Sequence, residues 1–360
     1  MATIASPECP KGIIRKYWSR TVGAGCGTKW VPRSLEAKMN YRRMGMSGLK
    51  LSEISLGAWV TFGDQIDDRM ASDIVHAAVD HGVNYLDNAD IYARGRAEVV
   101  MGQAIRDLPR ESLVLSSKVF WPTSDGPNGR GLSRKHVIES CHASLKRMGV
   151  DYLDLYFCHR YDAETPIEET VRAMDDLVHQ GKILYWGTSE WRAGQIARAH
   201  GLARQAGWFP PAVEQPHYNM LVRRIVEDEL VPLADDLGFG MVTWSPLRSG
   251  LLSGKYNDGM PPGARLSVER FNWLRGIVND GDVAKVRKLG VVASDLGLSL
   301  PQLAIGWLLR LTQVSSVITG ATRVEHVHEN VKAIGVPRLL TPEVLERIGS
   351  ILDNTPAPQA

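Results

Sequence analysis

Four side chains in this sequence could together move a proton onto an oxygen atom: Asp87, Tyr92, Lys118 and His159. Three of them close apolar runs. Asp87 ends Val83-Asn84-Tyr85-Leu86-Asp87, Lys118 ends Leu113 to Lys118, and His159 ends Leu153 to His159. Tyr92 follows five residues after Asp87. A lysine ammonium beside a tyrosine favours phenolate, so the pattern predicts a Tyr92 pKa below its usual value of about 10 and a proton donor usable near neutral pH. Asp87 would keep the lysine charged and oriented, since a buried pair costs less than a buried lone charge. His159 could hydrogen-bond a substrate carbonyl oxygen or help relay a proton. The set therefore reads as an acid aimed at a carbonyl. There is no G-x-S-x-G nucleophile elbow and no H-E-x-x-H pair. Cys158 and His159 are strand neighbours whose side chains point to opposite faces, so no metal site is expected. Reducing a carbonyl needs a hydride that side chains do not supply, which implies a cofactor.

Those residues need elements to position them. Eight apolar runs recur along residues 40–353, each followed by a loop and a helix-period segment. They are Ile54–Gly57, Val83–Asp87, Leu113–Lys118, Leu153–His159, Ile183–Ser189, Ala212–Gln215, Gly240–Ser245 and Ser316–Gly320. Most run ends lie about 30 residues apart, the βα repeat of a parallel sheet. Eight units without a glycine fingerprint after the first strand predict an α/β fold of the closed (β/α)8 TIM-barrel type rather than an open sheet. A hairpin over Tyr41 to Leu51 would precede the barrel, and a helix from Thr341-Pro342 to about Leu352 would follow it. Ser133 is a good N-cap for a helix that turns Val137, Cys141 and Leu145 inward. The C-terminal strand ends then share one rim, where active sites of such barrels lie. Asp87, Lys118, His159, Ser189, Gln215 and Ser245 all fall there. One such residue alone reads as a strand reaching water, whereas six together do not. The segment Trp244 to Tyr256 is small, Gly-containing and holds Lys255, and Thr319 to Arg323 leads into a helix N-terminus, a natural phosphate site. The seventh run is followed by about 35 Gly- and Pro-rich residues before the next clear helix near Asp282, and a loop of that length is usually functional.

The chain of 360 residues is 44% hydrophobic and 23% charged with a net charge of +2, which gives no bulk argument for a nucleic-acid or membrane partner. Its four cysteines have no CxxC pairing, so a reduced, cytoplasmic compartment is the default. Residues 1–38 read differently. They carry seven of the 42 basic residues but only Glu8 and Glu36 of the 40 acidic ones, leaving 35 and 38 in the remainder. A targeting peptide, a disordered basic tail, or a chain whose true start is Met39 would each look like this, and the last two are favoured. Gly23, Gly25 and Gly27 lack both the spacing and the strand of a dinucleotide fingerprint. The expected organisation is an extension over 1–38, a barrel over 39–353 and a frayed tail over 354–360.

The segment Leu86-Asp87-Asn88-Ala89-Asp90-Ile91-Tyr92 resembles the aldo-keto reductase signature, and Lys118 and His159 fall where that family has its catalytic lysine and histidine. The likeness extends over about residues 40–353. It is strongest to the subfamily of voltage-gated potassium-channel beta subunits and their plant and bacterial relatives, through Trp59 to Gly63, Gly131 to His136, Thr165 to Met174, Tyr185 to Trp191 and Val317 to Thr322. The resemblance implies a barrel that binds NADP(H) and reduces aldehydes or ketones, with Asp87, Tyr92, Lys118 and His159 as the tetrad and Tyr92 as the general acid. It also implies that Ser189 and Gln215 hold the nicotinamide carboxamide and that Trp244 stacks on the ring. Ser245, Pro246, Leu247 and Ser249 would follow the pyrophosphate. Lys255 and Arg265 would face the adenosine 2′-phosphate, with Gly320, Thr322, His326, Glu329 and Asn330 at the adenosine end. Trp59, Gln65 and Glu190 complete the implied cofactor contacts, and Trp59, Trp121, Tyr161 and Trp191 would line the substrate mouth. A homotetramer or larger homo-oligomer is implied as well. Animal channel subunits carry asparagine at the His159 position and arginine at the Glu190 position, while plant-like relatives share the glutamate. His326 stands where relatives often have glutamine. Ala58 replaces a threonine. The complete tetrad favours a reductase over the other implied role, a redox-sensing channel module with vestigial activity and a membrane-channel partner.

Overall fold

The structure, a computed structural model, describes residues 18–21, 29–32 and 38–355. Within the extension, Trp18–Thr21 pairs antiparallel with Lys29–Pro32, two strands that no periodicity in the sequence signals. The expectation of a disordered tail over the rest of 1–38 lies outside the described residues, as does the end of the tail beyond residue 355.

From Met39 onward the chain builds a closed eight-stranded parallel barrel. Its strands are β1 (Ile54–Gly57), β2 (Tyr85–Asp87), β3 (Val114–Val119), β4 (Leu153–Cys158), β5 (Ile183–Ser189), β6 (Val213–Gln215), β7 (Gly240–Thr243) and β8 (Val314–Thr319). β8 closes the ring by pairing Val317 to Thr319 with Ile54 to Leu56. Each lies within about two residues of the apolar run that predicts it. The flanking helices are α1 (Asp68–Asp80), α2 (Arg96–Ala104), α3 (Arg134–Met148), α4 (Ile167–His179), α5 (Ala193–Ala206) and α6 (Val231–Leu237), followed by α7 (Asp280–Asp295), α8 (Leu300–Leu308), α9 (Val324–Val331) and α10 (Pro342–Leu352).

Local signals start these helices where the sequence places them. The Ser133 hydroxyl accepts from the His136 N–H, Asn279 caps α7, and Thr341 caps α10 with Pro342 in the first turn. α4 buries Ile167, Val171, Met174 and Leu177, spaced to lie on one helix face, against the barrel wall. Among the described residues, no single helix is long and apolar enough to cross a membrane.

Strand side chains alternate between two cores. Leu86, Leu115, Tyr156, Cys158 and Val317 face the helix layer. Tyr85, Val114, Leu155, Phe157, Val213, Val242 and Ile318 fill the barrel interior with Met44 and Leu51 of the hairpin. That hairpin, Tyr41–Arg43 against Lys50–Ser52, plugs the floor. Its Arg42 donates to the Leu309, Leu311 and Val314 carbonyls at 2.8–3.0 Å and pairs with Glu53 at 2.7 Å. With the floor closed, the barrel opens to a large cavity at the rim of C-terminal strand ends.

Gly187 shows how tightly the wall closes. A Cβ there would lie 2.3 Å from the Val213 carbonyl oxygen and 2.5 Å from its Cγ1, with backbone that cannot give way. Gly187→Ala is expected to destabilise the barrel by about 2 kcal/mol, within the range for overpacked cores, read as a lower urea midpoint at unchanged slope.

Candidate active site

Alternation decides which polar side chains meet inside the rim. On β2, Asp87 shares the inward face with Tyr85, and on β3, Lys118 shares it with Val114 and Ser116. Lys118 is 0% exposed, and its three ammonium protons have three acceptors: Asp87 Oδ2 at 2.7 Å, the Asn88 carbonyl at 2.7 Å and the Tyr92 hydroxyl oxygen at 3.0 Å. The other Asp87 oxygen accepts from Ser116 Oγ and Gln215 Nε2, both at 2.9 Å, and from Tyr85 OH at 3.2 Å. A fully buried ion pair survives when its remaining lone pairs and protons are satisfied, as here. Burial alone would lower the Lys118 pKa, but the Asp87 and Tyr92 partners outweigh it and hold the ammonium above its ordinary range.

Tyr92 sits at the start of a tight turn before α2. Ala93 and Arg94 have φ of +48° and +53°, and Gly95 has φ of +84°. Seven of the eight non-glycine residues with positive φ among those described lie around this rim: Val60, Ala93, Arg94, Glu190, Ser245, Arg248 and Ser249. Such strain persists only where surrounding structure holds it, and it concentrates at functional sites. The lowered pKa expected for Tyr92 is corrected by the structure. Burial is the largest influence and raises it, and Lys118 offsets this only in part because Asp87 neutralises its charge. His159 is 7% exposed, and its ring meets Tyr92 edge-on at 5.9 Å and Trp121 at 6.3 Å. Burial, then the Lys118 and Arg160 charges, push its pKa well below the ordinary imidazole value, so the ring is neutral near pH 7. Its Nδ1 is buried with no hydrogen-bond partner among the described residues.

These groups open into a cavity of about 1250 Å³ whose walls also carry most of the predicted cofactor residues. Ser189 Oγ donates to the Gln215 carbonyl at 3.0 Å, which ties the two predicted amide-holding residues together. Trp59 and Gln65 come from the loop after β1, and Trp59 meets Trp244 edge-on at 5.6 Å. Ser245, Pro246, Leu247 and Ser249 line the next stretch. Gly250, at φ +92°, lets Lys255 lie across the chain, where a Cβ would approach its Nζ to 2.6 Å. Gly320, Thr322, His326, Glu329 and Asn330 form the far end, where His326 Nδ1 lies 3.3 Å from the Thr322 N–H. Lys255 and Arg265 also face this end, and neither has a carboxylate partner among the described residues. The Lys255 pKa is lowered by burial and then by the neighbouring Arg265 and Arg323 charges.

Three predicted residues lie elsewhere. Trp191 is 1% exposed and belongs to the helix-side core, with Tyr161 packed edge-on over it at 4.9 Å. Neither is among the residues lining the cavity, and Trp191 packs into the helix-side core. Glu190 is likewise not in the wall. Its Oε1 accepts from Trp244 Nε1 at 3.0 Å and from the His217 N–H at 2.5 Å, so it orients the indole from behind. Sequence reasoning missed His217, which stacks on Trp244 at 4.4 Å and 21°. It also missed Arg160 and Trp273 in the cavity wall, where Arg323, the end of the expected phosphate segment, lies as well. His217 stands two residues past Gln215 and Arg160 directly past His159, so continuing the runs beyond their last polar residue would have found both.

An aspartate, tyrosine, lysine and histidine thus converge on the C-terminal rim of a closed barrel. Comparison with protein families gives the class directly: residues 53–353 match the model of the Aldo/keto reductase family, and the chain belongs to that family, whose members carry out NAD(P)-dependent reduction of carbonyl groups. Among curated proteins, the chain is 51% identical over 323 residues to a "Probable voltage-gated potassium channel subunit beta" of Arabidopsis thaliana. It is 49% identical over 323 residues to a protein of the same name from Oryza sativa subsp. japonica. Each match covers 88% of this chain and 98% of the relative.

Behind Lys118, Asp90 is 2% exposed and neither carboxyl oxygen has a partner among the described residues. Burial, then the Glu98 carboxylate, raise its pKa to about 8. The folded state thus holds a proton that the unfolded chain, with a pKa near 3.9, releases. The stabilisation is complete below pH 4 and is lost as pH rises towards 8. Asp90→Asn, which stays neutral, is expected to gain stability relative to the wild type progressively from pH 4 to 8 and to level off above that. Urea denaturation across this range checks it, and a difference independent of pH would contradict it.

Proposed function

We propose that the protein is an NADPH-dependent reductase of aldehydes and ketones in which Tyr92 is the general acid. One observation carries this reading: the Lys118 ammonium already donates all three of its protons, one of them to the Tyr92 oxygen. Tyr92 therefore accepts from the lysine, and its own proton is left to point at the cavity. A substrate carbonyl oxygen there would accept that proton. The reaction balances as aldehyde plus NADPH plus one proton giving alcohol plus NADP⁺. Lys118 holds positive charge beside the phenol oxygen as it turns negative, and Asp87 fixes the lysine. The raised Tyr92 pKa keeps the phenol protonated through neutral pH, and the lysine lowers the cost of releasing that proton. His159, being neutral, acts as a hydrogen-bond donor to the carbonyl oxygen rather than as an acid.

The cofactor supplies the hydride when bound, and the residues present fit it. Ser189 and Gln215 lie beside Asp87 at the reacting end. At the far end, Lys255 and Arg265 are cations without carboxylate partners among the described residues, which suits the 2′-phosphate of NADPH over the hydroxyl of NADH. The names of the two plant relatives support a second reading, a channel-associated module whose bound cofactor senses redox state. The homo-oligomer and the cytoplasmic location belong to both readings.

NADPH oxidation against a panel of aldehydes tests the reductase, with Tyr92→Phe expected to lower kcat about 10²- to 10⁴-fold. No turnover of any aldehyde despite tight NADPH binding would favour the channel module. Lys255→Met with Arg265→Met should weaken NADPH binding by about 10- to 100-fold and NADH binding far less, measured by quenching of protein fluorescence. Equal losses for the two cofactors would refute the phosphate assignment.

A further inference from the structure

Arg160 is a cation in the cavity wall that no acid balances. It directly follows His159, and among the described residues its one hydrogen bond is Nη1 to the His159 carbonyl at 2.5 Å. Its guanidinium lies over the Trp121 ring, 5.7 Å from the centroid, and that ring is itself 6.3 Å from His159. Among the described residues it has no carboxylate partner. The acids of the cavity wall are all engaged: Asp87 by Lys118, Glu329 by Ser299 and Gln302, and Asp64 in an interaction of its own. The other arginine near this end, Arg248, has Asp282 at 3.5 Å. Arg160 is also remote in role from the Lys255 and Arg265 cluster, because its charge acts on Tyr92, His159 and His217. It therefore stands beside the groups that would face the carbonyl.

We propose that Arg160 selects carbonyl substrates that carry a carboxylate, with the guanidinium taking the anion while Tyr92 faces the carbonyl oxygen. This rests on the reductase reading and adds the substrate class to it. A planar guanidinium with most of its N–H donors free of protein acceptors matches a carboxylate in two-pronged fashion. Trp121 beneath it holds the fork and offers an apolar face to the substrate chain between the two polar ends. A half-buried, unmatched arginine repels a cationic aldehyde and gains nothing from a neutral one, so discrimination falls on the anion. The redox step is unchanged: hydride to the carbonyl carbon, the tyrosine proton to its oxygen, and the carboxylate retained.

The test compares each acid with its own methyl ester: 4-formylbenzoate, 3-formylbenzoate and 4-oxobutanoate, assayed with NADPH. In the wild type, kcat/KM for at least one acid should exceed that of its ester tenfold or more. Arg160→Met should bring that ratio down to about one, and Arg160→Lys should keep part of it. Direct binding of 4-(hydroxymethyl)benzoate to the protein with NADP⁺, by calorimetry, should weaken at least tenfold in Arg160→Met. Ratios near or below one for all three pairs in the wild type, or ratios unaltered in Arg160→Met, would overturn the assignment. If no aldehyde turns over, the reductase reading fails on its own. The calorimetric arm then decides the anion site, since an acid preference lost in Arg160→Met supports it and none in the wild type overturns it.

Discussion

Everything at the rim depends on one ammonium group. Lys118 is wholly buried, and a lone cation there would cost several kcal/mol. It is kept charged because closure of the barrel brings Asp87, the Asn88 carbonyl and Tyr92 within 3.0 Å of it. In turn, Asp87 tolerates burial because Ser116 and Gln215, from opposite parts of the ring, donate to its second oxygen. The network couples β2, β3 and β6, so loss of any one strand's register would expose an unmatched charge. It also fixes the donor direction of Tyr92, which is what gives the proposed acid its aim.

The same wall carries cost of another kind. The turns after β1, β2, β5 and β7 hold non-glycine residues at positive φ, each a strain of order 1–3 kcal/mol. The hairpin plug, the interior core and the capped helices offset it. The stable end of the barrel is the floor, where Met44 and Leu51 close the interior and Arg42 clasps three carbonyls. The strained end is the rim. Positive charge along the cavity is split between Lys255, Arg265 and Arg323 at one end and Arg160 at the other. This would suit a phosphorylated cofactor at one end and an acidic substrate at the other.

Much of this was legible in the chain. The eight apolar runs name the eight strands because parallel strands buried on both faces must be apolar, and turn chemistry must punctuate them. The polar residue that ends each run names the rim, since strand alternation fixes which face it shares. Asp87, Lys118 and His159 are readable that way. Trp191 lies in the helix-side core. A tryptophan after a strand end can turn either into the mouth or back under the helix layer, and local sequence does not choose. His217 and Arg160 were passed over because each follows a more obvious neighbour. The strands Trp18–Thr21 and Lys29–Pro32 carry no alternation strong enough to mark them.

By itself, the sequence determined the periodicity, the caps, the barrel class and the identity of the groups able to do chemistry, because these rest on interactions between near neighbours in the chain. The direction of each pKa was settled by tertiary structure alone. A lysine beside a tyrosine predicts a lowered phenol pKa, yet desolvation within the folded barrel outweighs that charge once Asp87 has neutralised it. Asp90 is in the same position: an ordinary aspartate in the chain, it becomes a buried acid with a pKa of about 8 when helix and barrel close around it. Dielectric environment and the matching of charges across distant strands are properties of the packed molecule, since water leaves a site only when the fold closes over it.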